Sequence, residues 1–174
     1  AQAGDLQAEL RAAVGDIRRL VHGLRPPALD ELGLLPALRQ RVARLGSEAS
    51  AVRNEPGLVI TLDAPHDLPP LPAALEVAIY RIVDEALVNV ARHANARHAW
   101  VRVEAEAAGG LRVSIADDGD GISAERGTGV GLLSMRERAE ELGARFMLGP
   151  NREGQGTQVT VEFSLPGGQN TGHA

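Results

Sequence analysis

The sequence predicts an α+β fold in two layers, in which a mixed sheet carries helices on one face. Two amphipathic helical stretches precede a strand and a long helix, after which two strands, a glycine-rich loop, a helix and two strands follow. This order lacks the strict strand–helix alternation of a doubly wound sheet. The 174 residues, 44 % of them hydrophobic, suffice for one domain with a core, and the 2 % of aromatic residues makes that core aliphatic.

The first helix is predicted from apolar residues that recur at spacings of four and three, namely Leu6, Leu10, Ala13, Ile17, Leu20 and Leu24. So narrow an apolar stripe needs partner helices, which makes this segment one strut of a helical bundle. A surface helix packed on its own domain is the alternative. We expect the helix to end at Arg25-Pro26-Pro27, because the residue before a proline avoids helical backbone.

The later elements follow from apolar periodicity and turn residues. A second amphipathic helix is predicted over 34–51, a strand over 58–62 and a long helix over 71–95, whose apolar face comprises Leu75, Ile79, Ile82, Val83, Ala86, Leu87 and Val90. Strands over 99–105 and 111–116 flank Gly109-Gly110, which favours a hairpin turn. A helix over 132–142 should end at Gly143, strands over 145–148 and 158–165 should pair, and residues 167–174 form a polar tail that we expect to be disordered.

The composition excludes several classes of function. The sequence contains no cysteine, which removes disulfides, thiolate metal sites and cysteine nucleophiles. All 18 basic residues are arginines, which excludes a Walker A loop and a protein-kinase fold because both need a lysine. A net charge of −5 with one Trp and one Tyr argues against nucleic acid as a partner. No apolar run approaches the roughly 18 residues of a membrane span, so we expect a cytoplasmic fragment without membrane contact.

A polar stripe interrupts the long helix. Glu85, Asn89 and His93 are spaced four apart and therefore share one helix face, with Arg81 and Arg92 beside them. A carboxylate can act as a base, an amide oxygen can bind a hard cation, and His or Arg can bind phosphate. Taken alone, the stripe is more typical of the solvated face of an amphipathic helix than of a binding site.

Two glycine-containing loops follow. The run Asp117-Asp118-Gly119-Asp120-Gly121-Ile122 comes directly after a strand, where a carboxylate can accept a hydrogen bond from an exocyclic amine such as that of adenine. The alternatives are an acidic turn or a calcium loop, although the EF-hand pattern is not met. The run Gly127-Thr128-Gly129-Val130-Gly131-Leu132 leads into a helix, whose N-terminus can present N–H groups to phosphate. It does not match the dinucleotide fingerprint, because Leu132 stands where the third glycine should be.

Together these features resemble the Bergerat-type ATP-binding fold shared by gyrase, heat-shock-90-type chaperones, histidine kinases and MutL, and the histidine kinases most closely. The segment from Glu85 to Ala94 resembles their N box, Asp117-x-Gly119-x-Gly121 their G1 box and Gly127-x-Gly129-x-Gly131-Leu132 their G2 box. Gly154-Gln155-Gly156-Thr157 resembles the final glycine–threonine element. The segments 21–34 and 133–143 resemble the kinases that signal to response regulators of the NarL/LuxR type.

The resemblance implies ATP and Mg²⁺ as ligands and the transfer of a phosphoryl group to histidine. It implies that Asn89 holds the metal, that Glu85 assists the chemistry, and that Arg92 and His93 lie near the phosphates. Asp117 would accept the adenine amine, Gly119 and Gly121 would open the pocket, and Thr157 would complete it. A lid over about 120–128 would hinge at three glycines, Gly127, Gly129 and Gly131. Aliphatic side chains would enclose the base: Ile122, Leu132 and, more weakly, Val90.

The sequence departs from that family in one respect. The phosphoacceptor of the subfamily is a histidine on an early helix, followed directly by an acid. Of the five histidines here only His66 precedes an acid, Asp67, and it lies in the proline-rich connector over 65–72 and not on a predicted helix. His22 is therefore interpreted as a structural residue, residues 1–28 as the second helix of the dimerisation bundle, and residues 29–166 as the catalytic domain. We expect the first bundle helix to lie upstream of this sequence, so the fragment would bind ATP without phosphorylating itself. A homodimer is expected for the full-length kinase, which could carry a membrane anchor.

Two alternatives of the same fold stay open at this point. An anti-sigma-factor-type kinase would phosphorylate serine on a partner, but it would lack the heptad helix and the segment that joins that helix to the domain. A non-catalytic ATP-binding scaffold would bind the nucleotide without transferring it. Whether Glu85 or an acid beside the missing histidine acts as the base also stays open.

Overall fold

The computed structural model describes residues 25–53, 57–106, 109–121, 129–151 and 154–165, except for the side chains of 49–53. The predicted heptad helix, including His22, lies outside the described residues. So do the predicted tail, Ile122, Gly127 and most of the predicted lid.

The described part folds into four α-helices and five strands. The helices are α1 (Pro27–Leu32), α2 (Leu34–Arg53), α3 (Ala73–Asn89) and α4 (Val130–Glu140). A π-helical turn, Val90–Ala94, continues α3. The strands are β1 (Val59–Asp63), β2 (His98–Glu106), β3 (Gly110–Asp117), β4 (Arg145–Pro150) and β5 (Thr157–Ser164).

The five strands form one mixed sheet in the order β1-β2-β3-β5-β4. Strands β1 and β2 run parallel, whereas β2 with β3, β3 with β5 and β5 with β4 run antiparallel. Gly109 has a φ of +80° in the turn between β2 and β3, which confirms the predicted hairpin. The mixed sheet is the one that the order of the elements predicts.

Among the described residues, the helices cover one face of the sheet. Inward side chains alternate with mostly exposed ones along β2 and with mostly half-buried ones along β3 and β5, and the inward set is buried: Ala99, Val101, Val103, Leu111, Val113, Ile115, Val159, Val161 and Phe163. Helix α3 packs between α2 and α4, and its predicted apolar face is buried throughout. Trp100 on β2 remains exposed on the opposite face. The predicted two-layer arrangement, with helices on one face, is confirmed.

The Pro26-Pro27 pair begins a helix in the described structure, α1, which the sequence patterns do not predict. Pro27 is the first residue of α1, where its fixed φ suits a helix and its missing N–H is no loss. Gly33, with a φ of +76°, ends that helix. Arg25, just before α1, donates from Nη2 to Glu76 Oε2 of α3 at 2.6 Å and pairs with Asp30.

The long helix is not α-helical up to residue 95 as predicted. The α-helix ends at Asn89, and the wider π turn then leads to Asn95 in a left-handed conformation with a φ of +53°. The Ala94 carbonyl, at the end of this turn, accepts a hydrogen bond from Asp120 N at 2.8 Å. Apolar periodicity does not reveal such a turn, because Val90 and Ala94 are buried in either geometry. Such turns are frequent at functional sites.

Candidate functional site

A cavity of about 880 Å³ lies between α3, α4 and the ends of β3 and β5. Most of the predicted site residues line it together: Glu85, Asn89, Arg92, His93, Asp117, Gly121, Gly129, Gly131, Leu132 and Thr157. Gly119 does not line the cavity, and its backbone packs against Ala94. Three segments that are distant in sequence therefore meet at one cleft.

Asp117 is the last residue of β3 and is only 3 % exposed. Its Oδ1 accepts backbone hydrogen bonds from Gly119 N at 2.8 Å and from Thr157 N at 3.3 Å. The Asn151 amide donates to the Asp117 carbonyl oxygen at 2.9 Å, which holds the main chain as well. Burial raises the pKa of this carboxyl group above its ordinary value, and the two N–H donors offset part of that shift. The result is a fixed, desolvated acceptor that faces the cavity.

The neighbouring acid, Asp118, faces away from this cavity. Its Oδ1 accepts from Arg97 N and His98 N at 2.8 Å each, and its Oδ2 lies 2.8 Å from His98 Nδ1. Burial tends to raise the pKa of Asp118, but the hydrogen bonds from His98 and Arg97 outweigh it and leave the pKa lowered. Asp118 therefore ties the end of β3 to the start of β2, and Asp117 is the acid that serves the cleft.

Two glycines allow the close backbone packing around Asp117. A methyl group on Gly119 would overlap the Ala94 carbonyl group, and one on Gly156 would overlap the Asp117 carbonyl group. Gly156 also has a φ of +116°, and Gly121 has a φ of +79°. Gly156 belongs to the glycine–threonine segment but was not among the predicted site residues. Its role appears only when β5 is placed beside β3.

Glu85 and Asn89 lie against the first turn of α4. A methyl group on Gly131 would overlap Glu85 Oε1 and would lie 3.3 Å from the Asn89 amide nitrogen. Without a side chain at this position, the carboxylate and the amide reach the positive end of the α4 dipole. The predicted stripe is thus turned into the cleft, and the alternative of a solvated helix face does not fit these two residues.

Several lining residues were not predicted as site residues. Ile115, Met135 and Val159 are buried aliphatic residues of the cavity wall, alongside the predicted Leu132 and the weaker candidate Val90. None of the residues that line the cavity in the described structure is Phe, Tyr or Trp, as the composition predicts. The strands and the helix that supply these residues were predicted, but which of their faces meet at the cavity depends on how the helices pack.

The cavity also extends past Glu85 between the outer turns of α3 and α4. Arg81 and Asp84 line it from α3, and Ser134 and Arg138 line it from α4. Asp84 is paired with Arg41 of α2. Arg81 precedes Glu85 by four residues, and this spacing was the only sequence signal for it.

The sequence profile of the histidine kinase-, DNA gyrase B-, and HSP90-like ATPases matches residues 74–167, which include every residue of this cleft. The chain belongs to this ATPase family. The match confirms the resemblance to the ATP-binding domains of histidine kinases and the Bergerat-type fold that the motifs implied. ATP is accordingly the ligand class of the family.

Relatives within the family are sensor kinases. The histidine-protein kinase/phosphatase DegS of Brevibacillus brevis is 30 % identical over 163 residues, covering 92 % of this chain and 40 % of the relative. UhpB of Salmonella typhimurium, also named a histidine-protein kinase/phosphatase, is 34 % identical over 171 residues, covering 95 % and 31 %. The chain thus spans less than half the length of these relatives.

The fold has solved counterparts. The histidine kinase domain of the Erythrobacter litoralis EL346 blue-light activated kinase superimposes with a TM-score of 0.57 at 24 % identity, covering 71 % of this chain and 59 % of that one. Within the described residues, no helix is long and apolar enough to cross a membrane. The same residues contain no cluster of three His, Asp or Glu side chains that could hold a metal by themselves.

Proposed function

We propose that this chain binds Mg-ATP in the cleft and transfers the γ-phosphoryl group to a histidine that lies outside this sequence, for relay to a response regulator of the NarL/LuxR type. One observation carries the proposal. A single cavity joins a buried carboxylate at the end of β3 to an amide and a carboxylate at the first turn of α4. The first suits a purine, and the second suits a metal-bound triphosphate.

The purine half of the site consists of Asp117 and the aliphatic wall. Asp117 would accept a hydrogen bond from the exocyclic amine of adenine, and its own backbone bonds fix its direction. Leu132, Ile115 and Val159 would enclose the base through dispersion contacts, which aliphatic side chains can supply. Thr157, at the start of β5, would close the edge of this half.

The phosphate half lies along α3. Asn89 and Glu85 offer hard oxygen donors side by side, and Mg²⁺ in nucleotide sites uses one or two such groups together with phosphate oxygens. The residues therefore fit the metal, and when bound it would neutralise phosphate charge. Arg92 and His93, on the same wall, would donate to phosphate oxygens. Gly129 and Gly131 leave the N–H groups of the first α4 turn accessible to phosphate.

The transfer itself needs positioning and charge neutralisation more than covalent chemistry from the protein. The bond between the γ-phosphorus and the bridging oxygen breaks, a bond from the histidine nitrogen to phosphorus forms, and ADP leaves. Glu85 lies where it could orient the acceptor or accept its proton, with the acid beside the missing histidine as the other candidate base. The phosphoryl transfer is the same whichever of these two acids is the base.

The segment before the domain supports a regulated kinase. Arg25 links the start of α1 to Glu76 of α3, the helix that carries Glu85 and Asn89. We propose that residues 1–28 belong to the dimerisation bundle of a homodimeric kinase, that the catalytic domain starts at about residue 29, and that this part of the protein works in the cytoplasm. The ion pair between Arg25 and Glu76 would then transmit a movement of the bundle helix to the helix that carries Glu85 and Asn89.

The test has two stages. Calorimetry should show binding of ATP that strengthens when Mg²⁺ is added. The fragment is then mixed with labelled ATP and a separately produced bundle that carries the histidine, and the phosphorylated product is tested in acid. An acid-labile phosphoryl group supports the histidine kinase, whereas an acid-stable one on a partner protein would identify the serine kinase. Binding without transfer would favour the scaffold, and no binding would refute the proposal.

A further inference from the structure

The part of the cleft beyond Glu85 is lined by two arginines to which the proposed function assigns no role. Arg81 lies one helical turn before Glu85 on α3, and Arg138 lies two turns after Gly131 on α4. Glu85 meets α4 at Gly131, and Arg81 lies close enough to Arg138 for their charges to interact, so the two helices pass each other here in opposite directions. Both arginines line the same cavity as Asn89 and His93.

Arg81 and Arg138 bring two positive charges to this part of the cavity. Burial and the positive charge of Arg81 lower the pKa of Arg138, although Glu85, Glu137 and Glu141 act in the opposite sense. A guanidinium group stays protonated in proteins, so both side chains remain cations in the cavity.

We propose that Arg81 and Arg138 form a two-arginine site for the terminal phosphoryl group of the bound nucleotide. The inference rests on the proposed function, because it needs a nucleotide in the cleft. In the proposed complex the base lies at Asp117 and the metal at Asn89, so the phosphate chain runs from Asp117 towards α3. Extended along α3 past Glu85, the same direction leads to Arg81. The terminal phosphate would lie farthest from the base, in the part of the cavity that the two arginines line.

Arginine suits this position for a chemical reason. Each guanidinium group presents a planar fork of N–H donors that matches two phosphate oxygens at once. Charge spreads over the three outer oxygens of the phosphoryl group during transfer, and two forks from opposite helices can follow that charge. The sequence has no lysine that could supply a single point charge instead.

The experiment compares two nucleotides that differ only in the terminal phosphate. Calorimetry measures binding of ADP and of a non-hydrolysable β,γ-imido analogue of ATP, each with Mg²⁺, to the wild type, R81Q and R138Q. R136Q is the matched control, because Arg136 lies on the same helix but outside the cavity, with its guanidinium group 5.5 Å from the Phe146 ring centre. R81Q and R138Q should weaken the analogue tenfold or more and leave ADP within twofold, and R136Q should change neither.

The outcomes separate the two levels of inference. If both variants bind ADP normally and keep the wild-type preference for the analogue, the two-arginine site is wrong while the nucleotide site stands. If the wild type binds neither nucleotide, the proposed function fails and this inference fails with it. Should R138Q not fold, R81Q and R138K carry the same comparison, and R138K should recover part of the preference because it keeps the charge but loses the fork.

Discussion

The most direct test of the nucleotide site is Asp117→Asn. The asparagine carbonyl oxygen can still accept the bonds that Gly119 N and Thr157 N now donate to Oδ1. The other position becomes an NH₂ group, which would face the adenine amine donor to donor. A hydrogen bond to a charged acceptor contributes about 1.5–3 kcal/mol, and the new donor–donor contact adds to the loss. We therefore expect a loss of about 2–4 kcal/mol, or about 30- to 1000-fold in Kd.

Stability should respond differently from binding. The substitution keeps both backbone bonds and removes a buried charge, so the free energy of unfolding should stay within about 1 kcal/mol of the wild type or rise. Calorimetry with Mg-ATP gives the affinity, and urea denaturation followed by circular dichroism gives the stability.

Asp118→Asn is the matched control, because this neighbouring acid bonds the start of β2 and faces away from the cleft. It should change the Kd of ATP by less than twofold. Wild-type affinity in a folded Asp117→Asn protein would remove Asp117 from the purine role. An equal loss in Asp118→Asn would attribute the effect to general charge instead.

Three further perturbations probe the same cleft. Asn89→Ala should make ATP binding insensitive to Mg²⁺ in calorimetry, and a persisting Mg²⁺ effect would mean that the metal is held elsewhere. Gly119→Ala should destabilise the fold by about 2 kcal/mol or more in urea denaturation, because the added methyl group overlaps the rigid Ala94 carbonyl; wild-type stability would contradict this packing. The pKa of Asp117 is raised in the folded state, so ionised Asp117 opposes folding at neutral pH. As the pH falls through that raised pKa towards the ordinary value of 3.8, the wild type should gain stability relative to Asp117→Asn. Its affinity for ATP should fall over the same pH range. Parallel curves of unfolding free energy against pH for the two proteins would refute the shift.

The sequence was sufficient for the sheet and for the helices that cover it. Alternation of inward and outward residues along β2 and β5 identifies both strands, because one face of the sheet is buried and the other is exposed. The apolar face of α3 was identified by its helical spacing for the same reason. Where buried residues recur at the regular spacing of a strand or a helix, apolar residues recur at the same spacing in the sequence, and the element can be predicted.

The site was predictable only where the chemistry lies on one short segment. The Glu85–Asn89 stripe and the Asp117 loop are local patterns, and both reach the cleft. Arg138 could not be assigned from sequence, because its place in the cavity depends on how α4 packs against α3. The π turn could not be predicted either, because the spacing of its buried residues fits an α-helix equally well.

The glycines of the site show how pattern and physical cause can differ. From sequence, Gly119 is expected to let the backbone approach a ligand, yet its missing side chain admits the Ala94 carbonyl. Gly156 does the same for the carbonyl of Asp117. The end of β3 is thus packed between the π turn and the start of β5, main chain against main chain. Backbone contacts of this kind cannot relax by a rotamer change, so the direction of the Asp117 carboxylate is set by the fold before any nucleotide arrives, as preorganised recognition requires.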